Sequence, residues 1–126
     1  MSTKNLLIVD DSPTTRMLIT LTLKKNDAYR IVEAADGQQA VAKLGSEQID
    51  LVLTDIGMPN MNGLELISYI RAQHPGIPII VITTKGEEQD LDRGFALGAN
   101  AYLPKPISGA RLQSLVKELL AEAGSN

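Results

Sequence analysis

The sequence contains no cysteine and no tryptophan. Disulfides, thiolate chemistry and Cys-based metal sites are therefore excluded. Aromatic side chains are scarce, limited to Tyr29, Tyr69, Phe95 and Tyr102, so the core must be aliphatic. There is no basic excess either. Lys and Arg total 12 against 15 Asp and Glu, and the net charge of −3 gives no electrostatic reason to expect nucleic acid as a partner. The adjacent basic pair Lys24-Lys25 suits a solvated helix end. Long hydrophobic runs are missing. The longest, Ile77 to Ile82, contains Pro78 and is too short to cross a bilayer. Residues Met1 to Lys4 lack the basic-then-apolar pattern of a signal peptide. The expectation is a soluble cytoplasmic protein with no membrane partner. The single histidine, His74, precedes Pro-Gly with no supporting acid or serine and is assigned no role.

What the sequence does have is a series of short apolar runs, each ending in a polar signal. At 126 residues, without repeat, linker or low-complexity tract, the chain is expected to form one domain over 1–126 with no output domain. Leu6 to Val9 predicts a first strand ending in Asp10-Asp11. Ser12-Pro13 is a helix start, with Ser as N-cap and Pro at the first helical position. The helix should run to about Asn26, with Met17, Leu18 and Leu21 along one side. Tyr29 to Glu33 predicts a weakly amphipathic strand near a sheet edge. Gln38 to Leu44 then predicts a short helix with Ala40, Val41 and Leu44 inward, closed by Gly45.

Ile49 to Thr54 predicts a third strand delivering Asp55 into a turn of Gly57, Pro59, Asn60, Asn62 and Gly63. Leu64, Ile67 and Ile70 mark a helix running to about Gln73, and Ile79 to Thr83 a fourth strand. Glu87 to Leu97 predicts a helix with acids at its start and a thin apolar face of Leu91, Phe95 and Ala96, which makes it a candidate for motion. Gly98 to Asn100 is a cap and turn. Ala101 to Pro104 is a fifth strand leading to Lys105-Pro106. Ser108 can cap a last helix striped by Leu112, Leu115, Val116, Leu119 and Leu120.

Five strands alternating with five helices imply an α/β fold, a doubly wound (βα)5 sheet covered on both faces. The common order for five parallel strands is 2-1-3-4-5, flavodoxin-like, with its ligand crevice between strands 1 and 3. That arrangement gathers Asp10, Asp11, Asp55, Thr83 and Lys105 at one end of one sheet. Each has an ordinary reading alone: helix-entrance acids, a turn aspartate, a strand threonine, a surface lysine. Their coincidence of place is what argues for chemistry. Three neighbouring carboxylates need a cation between them, and oxygen-only ligands select a hard ion, Mg²⁺. Asp11 and Asp55 are expected to ligate directly and Asp10 through water or charge. A carboxylate can attack phosphorus to give an aspartyl phosphate, and phosphoryl transfer needs little beyond alignment and charge neutralisation. Lys105, the Thr83 hydroxyl and backbone N–H groups at Met58 and Thr84 would bind phosphate oxygens.

The motifs Ile8-Val-Asp-Asp-Ser12, Thr54-Asp-Ile-Gly-Met-Pro-Asn-Met-Asn-Gly63, Thr83-Thr84 and Gly98-Ala-Asn-Ala-Tyr-Leu-Pro-Lys-Pro106 together resemble the receiver domain of bacterial two-component response regulators, of the single-domain chemotaxis type. The resemblance covers essentially the whole chain. It implies that Asp55 is the phosphoacceptor, charged by a histidine kinase or phosphotransfer protein. It also implies that Asp10 and Asp11 are the acidic pair around Mg²⁺, with the Gly57 carbonyl as a backbone ligand, and that Lys105 binds phosphate and precedes a cis Pro106. Thr83 and Tyr102 resemble the switch pair, whose movement remodels the surface of helix 4, strand 5 and helix 5 for a downstream protein. A monomer that catalyses only its own phosphorylation and dephosphorylation, in chemotaxis or motility, is the implied role. Gly57 and Lys85 stand where family members vary, near the path of attacking water, and are expected to tune phosphoryl lifetime. Ile107 stands where an aromatic is frequent, a difference of packing.

Other readings fit less well. A phosphatase of the haloacid dehalogenase class wants a second Asp two residues after the nucleophile, where this chain has Gly57. A flavin module wants a phosphate-cradling loop after strand 1, where Asp10-Asp11 would repel phosphate. No Gly-x-x-x-x-Gly-Lys-Ser/Thr sequence occurs, which excludes a Walker-type nucleotidase. A pseudo-receiver, binding proteins without phosphorylation, is the rival of a different class.

Overall fold

The computed structural model describes residues 3–58, 61–84 and 86–124. Ten elements alternate strictly: β1 (Lys4–Val9), α1 (Pro13–Leu23), β2 (Tyr29–Ala34), α2 (Gly37–Ser46), β3 (Leu51–Asp55), α3 (Gly63–Gln73), β4 (Ile79–Thr83), α4 (Glu88–Leu97), β5 (Ala101–Pro104) and α5 (Gly109–Gly124). The strands form one parallel sheet in the order β2-β1-β3-β4-β5, as expected, with β2 and β5 at its edges.

The apolar runs are explained by burial on both sheet faces, because alternate side chains of one strand serve two cores. Leu7, Val9, Val52, Ile79 and Val81 point to the face covered by α2, α3 and α4. Leu6, Ile8, Leu51, Leu53, Ile80 and Ile82 point to the face covered by α1 and α5. Parallel pairing aligns Val9 with Thr54, Asp55 with Ile82 and Thr83 with Pro104. One register therefore brings the ends of β1, β3, β4 and β5 to the same rim.

The helix caps act as the residue types predict. Ser12 Oγ accepts from the Thr15 N–H at 3.2 Å, and Ser108 Oγ accepts from the Arg111 N–H at 3.3 Å. Asn62 and Glu65 form a reciprocal capping box that starts α3. Gly98, at φ +120°, ends α4 in a conformation that disfavours any side chain.

Three expectations are corrected. Met17, Leu18 and Leu21 do not face the core; they are 57%, 52% and 61% exposed, and α1 instead buries Ile19, Thr20 and Leu23. The helix phase is set at its start, where the Ser12 cap and the Arg16 guanidinium, donating to the Asp10 carbonyl at 2.6 Å, turn the other stripe inward. Gly45 does not end α2. It lies within the helix, which closes one residue later with Glu47 in extended backbone. Phe95 and Ala96 are exposed; of the expected face of α4 only Leu91 is half-buried, and the residue that reaches the core is Gly94. The other expected helix faces are as read, with Leu112, Leu115, Val116 and Leu119 buried in α5. Pro59, Asn60 and Lys85 lie outside the described residues.

Candidate functional site

Asp55 ends β3, a strand whose five residues are all buried. Its carboxylate is 6% exposed, and its backbone is packed so closely that a Cβ on Gly63 would collide with the Asp55 carbonyl and with Ile56. Gly63 is thus the residue that lets the chain fold back beneath the acid and start α3. The Gly63 N–H donates to the Ile56 carbonyl at 3.1 Å and closes that turn. On the other side of Asp55, the Gly57 N–H approaches Oδ1 at 3.4 Å.

Asp10, the residue after β1, is fully buried. Its Oδ1 accepts from the Ser12 N–H at 2.8 Å, while Oδ2 has no hydrogen-bond partner among the described residues. Asp11 is exposed beside it. Carboxylate oxygens of Asp10, Asp11 and Asp55 all lie within 4.8 Å of one another. The Lys105 ammonium reaches in from the β5–α5 loop, 3.4 Å from Asp10 Oδ2 and 3.8 Å from Asp55 Oδ2. The Lys105 backbone is fixed by its N–H donating to the Thr83 carbonyl at 2.7 Å, and the Lys105-Pro106 bond is cis, as the resemblance implied.

Charge decides what this cluster accepts. Two carboxylates at such separations repel by roughly 3–4 kcal/mol at the effective dielectric of a protein. Three acids and one ammonium leave an excess of two negative charges when ionised. Burial pushes the Asp55 carboxyl above the ordinary aspartate range. Asp10 and, more weakly, Glu87 push the same way, against Lys105 and the Gly57 N–H. A buried carboxylate oxygen paired only with an ammonium at 3.4 Å, beside an acid held above its usual range, suits a further cation. The donor set, all oxygen, fits a hard divalent ion.

The remaining expected residues lie around this cluster. Thr83 is buried at the end of β4, one position beyond the register partner of Asp55, and Met58, the residue after Gly57, is buried. Thr84 is exposed in the loop after β4. Tyr102 is turned outward, 45% exposed, with its ring edge-on to Phe95 at 6.2 Å between centroids.

One residue was missed by the sequence reading. Glu87, the residue before α4, bends back so that its Oε1 accepts both the Thr84 N–H at 2.6 Å and the Thr84 hydroxyl at 2.8 Å. Its Oε2 lies over Gly57, where a Cβ would come within 2.7 Å of it. No sequence signal joins the two: Glu87 and Gly57 are distant in the chain and meet only through the bend of the loop after β4.

Comparison with known proteins gives a consistent placement. Residues 6–117 match the family model described as response regulator receiver domain. The protein PilH of Pseudomonas aeruginosa is 37% identical over 118 residues, which cover 92% of this chain and 97% of that protein. The chain spans about half the length of several other relatives, such as 48% of the alkaline phosphatase synthesis transcriptional regulatory protein PhoP of Bacillus subtilis, at 34% identity over 93% of this chain. Among solved structures, a CheY-like response regulator receiver domain protein from Methanospirillum hungatei superposes with a TM-score of 0.90 at 31% identity, covering 97% of each chain. The chemotaxis protein CheY4 of Vibrio cholerae gives 0.85 at 31% identity, covering 94% of this chain and 99% of that one. With the β2-β1-β3-β4-β5 sheet and the acidic rim already in place, these matches make the chain a member of the response regulator receiver domain family, the signalling modules of two-component systems.

Proposed function

We propose that the protein accepts a phosphoryl group on Asp55 from a phosphohistidine donor and passes the signal on through the surface of α4, β5 and α5. The observation that carries the reading is the rim cluster: buried Asp10, exposed Asp11 and buried Asp55 with carboxylate oxygens within 4.8 Å, and Lys105 bridging Asp10 and Asp55. In the transfer, an Asp55 oxygen attacks phosphorus. An O–P bond forms as the donor's N–P bond breaks, and the electron pair stays on the imidazole nitrogen, which takes up a proton. Lys105 leaves its carboxylate partners to hold the new phosphoryl oxygens, with the Thr83 hydroxyl and the Met58 and Thr84 N–H groups as further donors. Asp11, Asp55 and the Gly57 carbonyl would hold Mg²⁺, with Asp10 acting through water or charge, and the ion would supply charge neutralisation at the transferring oxygens.

The output is placed on the α4–β5–α5 side because Tyr102, the partner of Thr83 in the resemblance, lies there, with exposed Phe95 and Leu97 at 40% and Tyr102 at 45% offering apolar surface. Engagement of Thr83 by the phosphoryl group would draw Tyr102 from Phe95 into the cleft of about 260 Å³ lined by Thr83, Leu91 and Pro104. A signalling role in motility is suggested by the likeness to the chemotaxis protein CheY4.

The test is incubation of the chain with Mg²⁺ and acetyl phosphate, followed by intact mass measurement. One added phosphoryl group is expected, lost in Asp55→Asn and upon chelation of the metal. An unmodified wild-type chain would leave the phosphorylation-independent pseudo-receiver as the better reading.

A further inference from the structure

The Glu87 carboxylate already occupies one of the donors that a phosphoryl group on Asp55 would need, the Thr84 N–H. Both hydrogens of Thr84, one from its backbone N–H and one from its hydroxyl, point to a single oxygen of Glu87, at 2.6 and 2.8 Å. The second oxygen stands above Gly57, in space that any side chain at that position would take. Glu87 thus spans the mouth of the site from the β4 side to the β3 side, with an anion set where an anion is to arrive. The contact also closes the loop before α4, since the Glu87 N–H donates to the Thr84 carbonyl at 3.2 Å.

We propose that Glu87 is a placeholder for the phosphoryl group: a competing carboxylate that must leave Thr84 before Asp55 can be phosphorylated, and so sets the rate of phosphoryl acceptance. The inference rests on the phosphoacceptor reading of Asp55. Two physical points support it. A carboxylate accepting two hydrogen bonds is held by charge-assisted contacts, so displacing it costs more than displacing water. An incoming phosphoryl dianion repels it and takes the same N–H, so the two occupants exclude each other. Glu87 precedes the first turn of α4, and its release frees the end of the helix that Glu87 ties to β4. The chemical event at Asp55 and the loosening of α4 then become one exchange of ligands. A purely structural role, closing the loop as any short polar side chain could, predicts no effect on the rate.

The experiment compares wild type with Glu87→Gln, Glu87→Ala and Glu88→Gln. The last removes the same charge one residue away, from a side chain approached by the Gly86 N–H at 3.4 Å. With Mg²⁺ and acetyl phosphate, phosphorylation should speed up roughly five- to twentyfold in Glu87→Ala, the size expected for freeing a charge-assisted contact at a partly exposed site. Glu87→Gln should show a smaller gain, because an amide keeps an acceptor and loses the charge. Glu88→Gln should match wild type. A spectroscopic readout accompanies the rate. The Thr84 amide proton resonance should move upfield in Glu87→Ala. In wild type it should lose its dependence on Glu87 once beryllofluoride and Mg²⁺ are added. Wild-type rates in both Glu87 variants, or equal acceleration in Glu88→Gln, would overturn the placeholder while leaving Asp55 as acceptor. A wild type that takes no phosphoryl group, indistinguishable from Asp55→Asn, would overturn the acceptor reading itself.

Discussion

Helices α4 and α5 flank the same end of the sheet on opposite faces and are held very differently. Four side chains of α5 are buried, with Leu112 and Val116 losing all exposure. In α4 the sole fully enclosed position is Gly94, and Phe95 and Leu97 point to solvent. Burial of a Leu-sized side chain contributes roughly 1.5–3 kcal/mol, so the two helices differ by several such contributions. The ends of α4 differ as well. Its C-terminal end is anchored by the Arg71 guanidinium, which donates to the Gly98 carbonyl at 3.0 Å, the Ile77 carbonyl at 2.7 Å and Asn100 Oδ1 at 2.8 Å. At its N-terminal end the contact that reaches the sheet rim is Glu87 on Thr84. The seated helix follows the loop that carries Lys105; the loosely seated one follows the loop that carries Thr84. An element with little buried area opens at low cost, and here it is the one that borders the acidic rim.

The largest effect that would break this contrast is a core truncation. Leu112→Ala in α5 should cost about 2–5 kcal/mol in urea unfolding, whereas Leu91→Ala in α4, a half-buried site, should cost about 1 kcal/mol. Equal losses would show that α4 is seated as firmly as α5. Hydrogen exchange gives the same comparison without mutation: α4 amides should exchange well before those of α5, and coincident protection would contradict the contrast.

The next effect concerns Asp55, on which the two sides act in opposite directions. Glu87, from the α4 side, raises its proton affinity, and Lys105, from the α5 side, lowers it; burial and Asp10 leave the net shift upward. The folded state therefore holds the Asp55 proton more tightly than the unfolded chain does. Stability should fall as pH rises from the ordinary aspartate value of about 3.9 through the raised folded value, and level off above it. Asp55→Asn removes that fall. In metal-free buffer, the stability of Asp55→Asn minus that of wild type should grow across this window and then stay constant. Mg²⁺ should shrink the difference. A difference independent of pH would mean that the surroundings of Asp55 do not oppose its ionisation.

Much of this was legible in the sequence, for reasons that differ by element. The strands were readable because a parallel sheet buried on both faces demands continuous apolar runs; Ile79–Thr83 and Ala101–Pro104 coincide with β4 and β5. The acidic rim was readable because each acid follows such a run. The buried face of α1 was not. Its apolar residues populate two stripes, and the choice depends on Arg16 meeting the Asp10 carbonyl, a contact invisible in the helix's own pattern. Glu87 was hidden for a similar reason. Beside Glu88 and Asp90 it reads as one more acid at a helix start, and its place over Gly57 depends on how the loop after β4 bends.

The smallest effect is also the sharpest probe of how α4 sits. A Cβ on Gly94 would meet Ile67 Cδ1, Ile56 Cδ1 and Val81 Cγ2 at 3.6–3.8 Å, ordinary contact distances. Gly94→Ala should thus fit without moving the helix, while removing the backbone entropy that glycine brings to a helix interior. A gain of about 0.5–1 kcal/mol follows in denaturant unfolding. Larger residues have no such room: Gly94→Leu must push α4 away from Ile56 and Val81, or be accommodated by a helix already free to move. If Gly94→Leu proves nearly as stable as wild type while α4 amides exchange faster, α4 yields as a unit and the loose seating is confirmed. If it costs several kcal/mol, comparable to a truncation in α5, the helix resists displacement and the contrast between the two helices fails.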